Sequence, residues 1–157
     1  MSNFSLAGMY LLCKCERPEL LPFRANPTDA GLDLKSKQTV YLKPNTRTMV
    51  GTGVSVKIPQ DHVGLLFARS SLSKKGLLLA NGVGVIDSDY RGEIMAPLVY
   101  QPMQATHGDL QEIRRDERIV QLVVVPIALP KPIEYTGDND WFDTSRGAGG
   151  FGSTGQH

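Results

Sequence analysis

Cysteine is nearly absent from this chain, and what there is of it is badly placed for cross-linking. Of 157 residues only Cys13 and Cys15 are cysteines, two positions apart in a strand-like stretch. That spacing is poor for a strain-free disulfide, and two ligands are too few for a zinc site. We interpret both as free thiols in a reducing compartment, which predicts a cytoplasmic protein.

Long apolar runs and an excess of charge are also missing. Residues 6–13 form a short apolar run that Lys14 soon interrupts, with no basic segment before it. This predicts neither a signal peptide nor a membrane span. The net charge of +1 gives no general attraction to nucleic acid or to a membrane. Any polyanion must therefore be bound by a local site.

Familiar catalytic patterns are absent too. The three histidines are scattered, without the spacing of a zinc site, and no Gly-x-Ser-x-Gly elbow occurs. The chain instead contains many short stretches rich in Val, Thr and Tyr, separated by Pro, Gly, Asn and Asp. Such a pattern is typical of an all-β sandwich or barrel in one domain. One short helix is predicted over residues 71–75, capped by Ser70 or Ser71 and ended by Gly76.

Residues 81–93 (NGVGVIDSDYRGE) read as a β-hairpin with two short strands around an Asp/Ser/Gly-rich turn. Asp87 at the turn, with Tyr90 three residues later, could act as a general base beside a stacked ligand. An ordinary turn explains the same residues, since Asp and Ser favour turns for backbone reasons.

Two stretches could bind phosphate. Arg69, Ser70 and Ser71 lie between a strand and the short helix, where N–H groups, hydroxyls and a guanidinium can bind an anion. Residues 146–155 (RGAGGFGSTG) could wrap an anion with backbone N–H groups, although they lack the ending of a Walker A loop. The alternatives are a plain capped helix and a flexible tail.

Asp33 and Gln121 each occupy a polar position in an otherwise apolar strand. Mg²⁺ commonly keeps several waters and uses few protein oxygens, so this pair could hold the ion through its waters. A polar residue on the solvent face of a strand is the alternative for each.

In order along the chain, five stretches resemble the five motifs of the trimeric dUTPase family. They are residues 30–34 (AGLDL), 68–72 (ARSSL), 81–93, 116–121 (DERIVQ) and 146–155. The resemblance implies a jelly-roll-like β domain over residues 1–145 and a flexible glycine-rich arm over residues 146–157 that closes over an active site. It also implies a homotrimer with three shared active sites. The implied reaction is Mg²⁺-dependent hydrolysis of dUTP to dUMP and pyrophosphate, which limits uracil in DNA and supplies dUMP for thymidylate synthesis.

The resemblance also implies roles for individual residues. Asp87 would activate a water for attack on the α-phosphorus, and Tyr90 would pack against the deoxyribose and exclude UTP. Asp33 and Gln121 would hold metal-bound waters. The uracil edge would be read by main chain around Asn81, Val85, Ile86 and Met95. The phosphates would be held by Arg69, Ser70 and Ser71. A neighbouring subunit would supply Phe151 over the uracil, and on the phosphates Arg146, Gly152, Ser153 and Thr154.

Some positions depart from the family pattern. Ser71 and Asp116 stand where glycine is usual, and Ala148 stands where a longer polar residue is frequent. Two alternatives to dUTP hydrolysis are a dCTP deaminase of similar fold and a regulatory module in which nucleotide binding gates contact with another protein. The strand after residue 93 lacks the glutamate that deaminase chemistry needs, apart from Glu93 at its start.

Overall fold

The protein is seen in a computed structural model that describes residues 10–102, 110–137, 141, 144–145 and 147–149. In these residues one short helix, α1 (Ser70–Lys74), and a 3₁₀ turn (Pro18–Leu20) accompany eleven strands. The strands are β1 (Leu12–Cys15), β2 (Leu32–Lys35), β3 (Val40–Leu42), β4 (Arg47–Gly51), β5 (Val54–Lys57), β6 (His62–Ala68), β7 (Leu77–Leu79), β8 (Gly84–Ile86), β9 (Met95–Tyr100), β10 (Gln111–Ile113) and β11 (Arg118–Pro126). None of the described helices has the length and apolar character needed to cross a membrane.

The strands form antiparallel sheets. The largest has the order β2-β11-β6-β8, and a second has the order β4-β9-β7. Two further pairs are β1 with β5 and β3 with β10. The predicted all-β class with one short helix is therefore confirmed.

One hydrophobic core lies between the sheets. Its members include Leu34 on β2, Leu66 on β6, Leu98 on β9 and Leu122 on β11, all essentially inaccessible to solvent. Because successive side chains of a strand point to opposite faces, burying Leu34 and Leu122 places Asp33 and Gln121 on the other face of the same sheet. The core thereby fixes the orientation of the polar residues discussed below.

The predicted hairpin over residues 81–93 is wrong. β8 pairs with β6, with Gly64 opposite Ile86, whereas β9 lies between β4 and β7 in the other sheet. Both edges of β9 are therefore already occupied, and residues 87–93 cross from one sheet to the other. The Asp/Ser/Gly composition correctly indicates a turn, but turn chemistry does not determine which strands its flanking residues join.

The helix begins one residue earlier than predicted, and neither serine caps it. Its N-cap position is Arg69, in an extended conformation and without a side-chain hydrogen bond to the helix. The helix also ends one residue earlier than predicted, at Lys74, with Lys75 at the C-cap position. Gly76 follows, as expected, with φ +68°, and its N–H donates to the C=O of Ser73 at 3.1 Å. A Cβ at Gly76 would overlap the backbone oxygen of Gln101.

Gly82 provides a matched control for a substitution at Gly76. Its φ is +69°, but nothing lies within 4 Å of the position that a Cβ would take. We expect Gly82→Ala to lower the free energy of unfolding by about 1–2 kcal/mol, the cost of left-handed backbone for an L-residue. Gly76→Ala should cost about 1–3 kcal/mol more, because backbone must move to relieve the overlap. Urea unfolding at one fixed protein concentration measures both, and equal losses would contradict this steric account.

Candidate active site

Asp33 and Gln121 face each other across two neighbouring strands. The register of β2 and β11 places them directly opposite, on the face away from the core. A Cβ at Gly31 would lie 2.5 Å from Oε1 of Gln121, so glycine at this position leaves room for the amide. Sequence reasoning proposed these two residues as a pair, and the strand pairing brings them together.

The carboxylate of Asp33 is bound by two arginines. Nε of Arg69 lies 2.8 Å from Oδ1, and Nη1 of Arg118 lies 3.3 Å from Oδ2. The Asp33 side chain is only 13% exposed, so these ion pairs are partly shielded from water. The guanidinium of Arg118 also lies over the ring of Phe23, with Cζ 5.8 Å from the ring centroid. Together the three charged groups leave one net positive charge.

Asp33 and Arg69 line a polar cavity of about 350 Å³. Its lining includes Asp33, Arg69, Ser70 and Gln121. Ser71 is exposed but is not part of this lining. Four of the predicted phosphate-binding and metal-binding residues therefore share one cavity, whose charged lining residues are Arg69, Asp33 and Asp29.

A second cavity, of about 290 Å³, is formed by β8, the start of β9 and the segment between them. The predicted base- and sugar-binding residues and the predicted general base all line it: Asn81, Val85, Ile86, Asp87, Tyr90 and Met95. Met49, Leu66 and Glu93 also line it and were missed by sequence reasoning. Met49 and Leu66 are apolar, so nothing in the sequence marks them as binding residues. Glu93 was included only as the last residue of the segment 81–93, without a role of its own.

Asp87 is the free carboxylate of this second cavity. Its residue is exposed, and among the residues that the structure describes its side chain has no hydrogen bond or ion pair. Its backbone C=O accepts a hydrogen bond from the N–H of Tyr90 at 3.2 Å. The Tyr90 hydroxyl in turn donates to the C=O of Glu93 at 3.0 Å, and the Tyr90 residue is 43% exposed. A carboxylate without partners can accept a proton from a water.

The two cavities have no lining residue in common. Within one chain the predicted residues are thus divided into a phosphate-type group and a base-and-sugar group. Five further predicted residues lie outside the described residues: Arg146, Phe151, Gly152, Ser153 and Thr154.

The described residues limit how a metal could bind. They contain no group of three or more His, Cys, Asp and Glu side chains arranged to hold an ion. Both Asp33 oxygens already have an arginine partner, Arg118 by a hydrogen bond and Arg69 by an ion pair, although a carboxylate has room for further donors. Asp33 and Gln121 therefore fit a hydrated Mg²⁺ that takes its direct ligands from water and phosphate.

The departure at Asp116 has a structural explanation. Its φ is +67°, a left-handed conformation that glycine favours and that Asp tolerates better than most residues. Nη2 of Arg17 lies 2.5 Å from its Oδ1 and fixes the turn. The next residue, Glu117, forms an ion pair with Lys75 and accepts a hydrogen bond from the N–H of Arg114. This turn leads directly into Arg118.

The antiparallel sheets around one hydrophobic core define an all-β protein of the jelly-roll type. The sequence model of the dUTPase family matches residues 18–155. The chain belongs to the dUTPase family.

Named relatives agree with that assignment. The deoxyuridine 5'-triphosphate nucleotidohydrolase of Rhodococcus erythropolis is 43% identical over 143 residues, which is 89% of this chain and 82% of the relative. The protein of the same name from Nautilia profundicola is 39% identical, over 91% of this chain and 96% of its own length.

Solved structures agree as well. The dUTPase of Staphylococcus bacteriophage 80alpha with dUPNHPP is 30% identical, with a TM-score of 0.77, and the match covers 94% of this chain and 99% of that one. A mutant dUTPase from phage phi11 of S. aureus, whose structure reveals the coordination of a structural Mg(II) ion, is 28% identical with a TM-score of 0.72. That match covers 82% of this chain and 98% of the phage chain.

The Arg17–Asp116 pair predicts a pH-dependent contribution to stability. The hydrogen bond from Arg17 lowers the pKa of the Asp116 carboxyl below its ordinary value of 3.8. A carboxyl with a lower pKa in the folded state stabilises the fold above the unfolded pKa and loses that effect as the pH falls through the folded pKa. Asp116→Asn keeps a residue that tolerates positive φ. Its melting temperature should therefore be lower than that of the wild type at pH 7, and the difference should disappear below about pH 3.

Thermal melts between about pH 2.5 and 7, which span the titration of this carboxyl, test the prediction. The matched control is Glu112→Gln, whose carboxylate is paired with the exposed Arg114 at 3.6 Å and should contribute little. If the difference in melting temperature between Asp116→Asn and the wild type were the same at every pH in this range, the assigned ion pair would be contradicted.

Proposed function

We propose that the protein hydrolyses dUTP to dUMP and pyrophosphate. The observation that carries the proposal is the gathering of all the third-motif residues named above around one cavity, beside the unpartnered carboxylate of Asp87. Membership of the dUTPase family supports it, as do relatives named deoxyuridine 5'-triphosphate nucleotidohydrolase. By removing dUTP such an activity limits uracil in DNA and supplies dUMP for thymidylate synthesis.

Asp87 is the proposed general base. It takes a proton from a water whose oxygen attacks the α-phosphorus, and the bond to the pyrophosphate leaving group breaks. A positioned base of this kind typically contributes about 10²–10⁴-fold to the rate. Tyr90 packs against the deoxyribose, where a 2′-hydroxyl would have no room. Main chain at Asn81, Val85, Ile86 and Met95 binds the uracil edge.

Arg69, Ser70 and Ser71 are the proposed phosphate-binding residues. Phosphoryl transfer depends mainly on positioning and on neutralisation of charge. The contact with Asp33 at 2.8 Å holds the guanidinium of Arg69 in one orientation before substrate arrives. The Ser70 and Ser71 hydroxyls have no partner in the described part of the chain and are free to donate.

Mg²⁺ is the proposed cofactor, held through its waters by Asp33 and Gln121. When bound, the ion supplies neutralisation of charge on the phosphates. The chain's own contribution is to orient two oxygens, one on each of two paired strands, toward the same side of the cavity that Arg69 lines. A magnesium ion in the phage phi11 enzyme is consistent with this choice.

A homotrimer with shared active sites is the proposed assembly. One chain holds the base-and-sugar group and the phosphate-type group in cavities without a common lining residue, an arrangement that fits a site completed by residues from more than one subunit. Large apolar side chains are also exposed, among them Leu12 (63%), Leu129 (72%) and Ile133 (85%). Exposed apolar surface of this kind marks interfaces. The cytoplasmic location remains a prediction from cysteine usage.

The alternatives are weaker. The 80alpha phage enzymes are described as controlling transfer of virulence genes by a G protein-like mechanism, which concerns those proteins. In this chain the free Asp87 carboxylate favours hydrolysis over a purely regulatory module. Family membership likewise favours the hydrolase over a dCTP deaminase.

One assay tests the function directly. We expect pyrophosphate release from dUTP, much less from dTTP, dCTP and UTP, and strong dependence on Mg²⁺. Asp87→Asn should lower kcat by about 10²–10⁴-fold because the water loses its base. Binding of dUTP by the variant, measured calorimetrically, should change little. Near-normal turnover by Asp87→Asn would remove Asp87 from this role, and ammonia release from dCTP would support the deaminase.

The arm is the subject of a second test. We propose that residues 146–157 close over the active site of a neighbouring subunit, with Phe151 on the uracil and with Arg146, Gly152, Ser153 and Thr154 on the phosphates. Lids of this type exclude water and complete the site. Truncation after Ser145 should abolish dUTP hydrolysis and leave the melting temperature and oligomeric mass unchanged. Full activity of the truncated protein would refute the proposal.

A further inference from the structure

The segment that carries Asp87 and Tyr90 has few attachments to the sheets. Residues 87–93 form no strand, and both Asp87 and Tyr90 are exposed. Internal bonds shape the segment: Arg91 donates from Nη1 to the C=O of Ser88 and of Tyr90, each at 2.8 Å. These bonds lie within the turn and do not hold it against the rest of the molecule.

Glu93 attaches the end of this segment to the molecule. Its Oε1 accepts a hydrogen bond from the N–H of Gly53 at 2.7 Å, and its Oε2 accepts one from Nζ of Lys37 at 2.9 Å. Each oxygen thus has a different partner, one on the turn between β4 and β5 and one after β2. We call Glu93, Lys37 and Gly53 the Glu93 clamp.

The surrounding chain is built to receive this carboxylate. A Cβ at Gly51 would lie 2.6 Å from Oε1 of Glu93 and 2.7 Å from Cε of Lys37, so glycine there makes the space. Lys37 is itself fixed, since its N–H donates to the C=O of Gly51 at 3.0 Å and its Nζ lies 2.8 Å from Glu16. Hydrogen bonds to Glu16 and Glu93 raise the pKa of Lys37, which keeps the amine charged.

The position of Tyr90 depends on that of Glu93. The Tyr90 hydroxyl donates to the backbone C=O of Glu93 at 3.0 Å. Between them, a Cβ at Gly92 would overlap the Tyr90 hydroxyl oxygen, so the ring lies directly against the backbone at Gly92. A shift of Glu93 therefore moves the surface on which the ring rests and the acceptor of its hydroxyl.

We propose that the Glu93 clamp positions Tyr90 and so sets the discrimination between deoxyribonucleoside and ribonucleoside triphosphates. Glu93 and Lys37 are positioning residues here, acting through Tyr90 and not on the reacting atoms. The inference rests on the proposed hydrolysis of dUTP. Lys37 is the informative member, because its side chain does not line the cavity that contains Tyr90.

The test compares kcat/KM for dUTP and UTP in four variants. Glu93→Gln and Lys37→Met break the ion pair from its two ends, Lys37→Arg preserves the charge, and Glu112→Gln alters an exposed pair elsewhere. Breaking the clamp should lower the dUTP to UTP ratio on the order of 10-fold, the scale of a small change in pocket shape. In Lys37→Met, whose side chain lies outside the cavity, the kcat for dUTP should change less than about 3-fold, since the base is retained. Lys37→Arg should retain most of the wild-type ratio of kcat/KM for dUTP to that for UTP, and Glu112→Gln should have the wild-type ratio.

Hydrogen–deuterium exchange of residues 87–94 supplies a readout independent of catalysis and also confirms that each variant is folded. Exchange should be faster in Glu93→Gln and Lys37→Met and unchanged in Glu112→Gln. An altered ratio in Glu93→Gln but not in Lys37→Met would overturn the proposal, because Glu93 would then contact the nucleotide itself. Faster exchange with an unaltered ratio would overturn it as well. A wild-type protein inactive on dUTP would instead refute the proposed function, while the exchange result would still show whether the clamp holds the segment.

Discussion

The contact of Asp33 with two arginines is the interaction on which the polar cavity depends. It joins parts of the chain that are far apart in sequence: Asp33 on β2, Arg69 after β6, and Arg118 at the start of β11. Without the carboxylate, two guanidinium groups would lie close together in a partly shielded position and repel each other. Removing one member of such a group is costly because the remaining charges lose their partners. The carboxylate therefore fixes the position of the positive charge that Arg69 presents.

The order of the strands makes this contact possible. β11 lies between β2 and β6, with Gln121 opposite Asp33 on one side and Val120 opposite Ala68 on the other. Three stretches with separate sequence signals thus become neighbours on one sheet. Leu34, Leu66 and Leu122 pack that sheet against the core. Because a close-packed core is rigid, the backbone that carries the polar residues on the opposite face is held in place as well.

Features with a local physical cause could be predicted from sequence. The alternation around Asp33 placed its side chain opposite the buried leucines, and Gly76 was correctly placed at the end of a helix. The resemblance to dUTPase motifs correctly gave the family. What failed or was missed depends on contacts distant in sequence. The predicted hairpin failed because β8 and β9 pair with strands of different sheets. The turn at Asp116 is fixed by Arg17, which is 99 positions away in sequence. Glu93 is bound by Lys37, which is 56 positions away. No local pattern contains these pairings.

Three carboxylates of the candidate site, Asp33, Glu93 and Asp87, differ in the number of partners that they have. We relate this difference to their roles: two are fixed in place, and one is free to react. Asp33 has one arginine on each oxygen, and Glu93 has a lysine on one oxygen and a backbone N–H on the other. A carboxylate bound in this way is held in one orientation, because both of its oxygens have partners. Asp87 has no such partner in the described chain and is exposed to the cavity. In the proposed trimer the base and the phosphate-binding residues come from different subunits, so their alignment cannot be set by local chain geometry. Each subunit must then hold the catalytic residues that it supplies in a fixed position. The two carboxylates with a partner on each oxygen lie where this is needed. Asp33 lies beside the phosphate-binding arginine, and Glu93 lies at the end of the segment that carries the base.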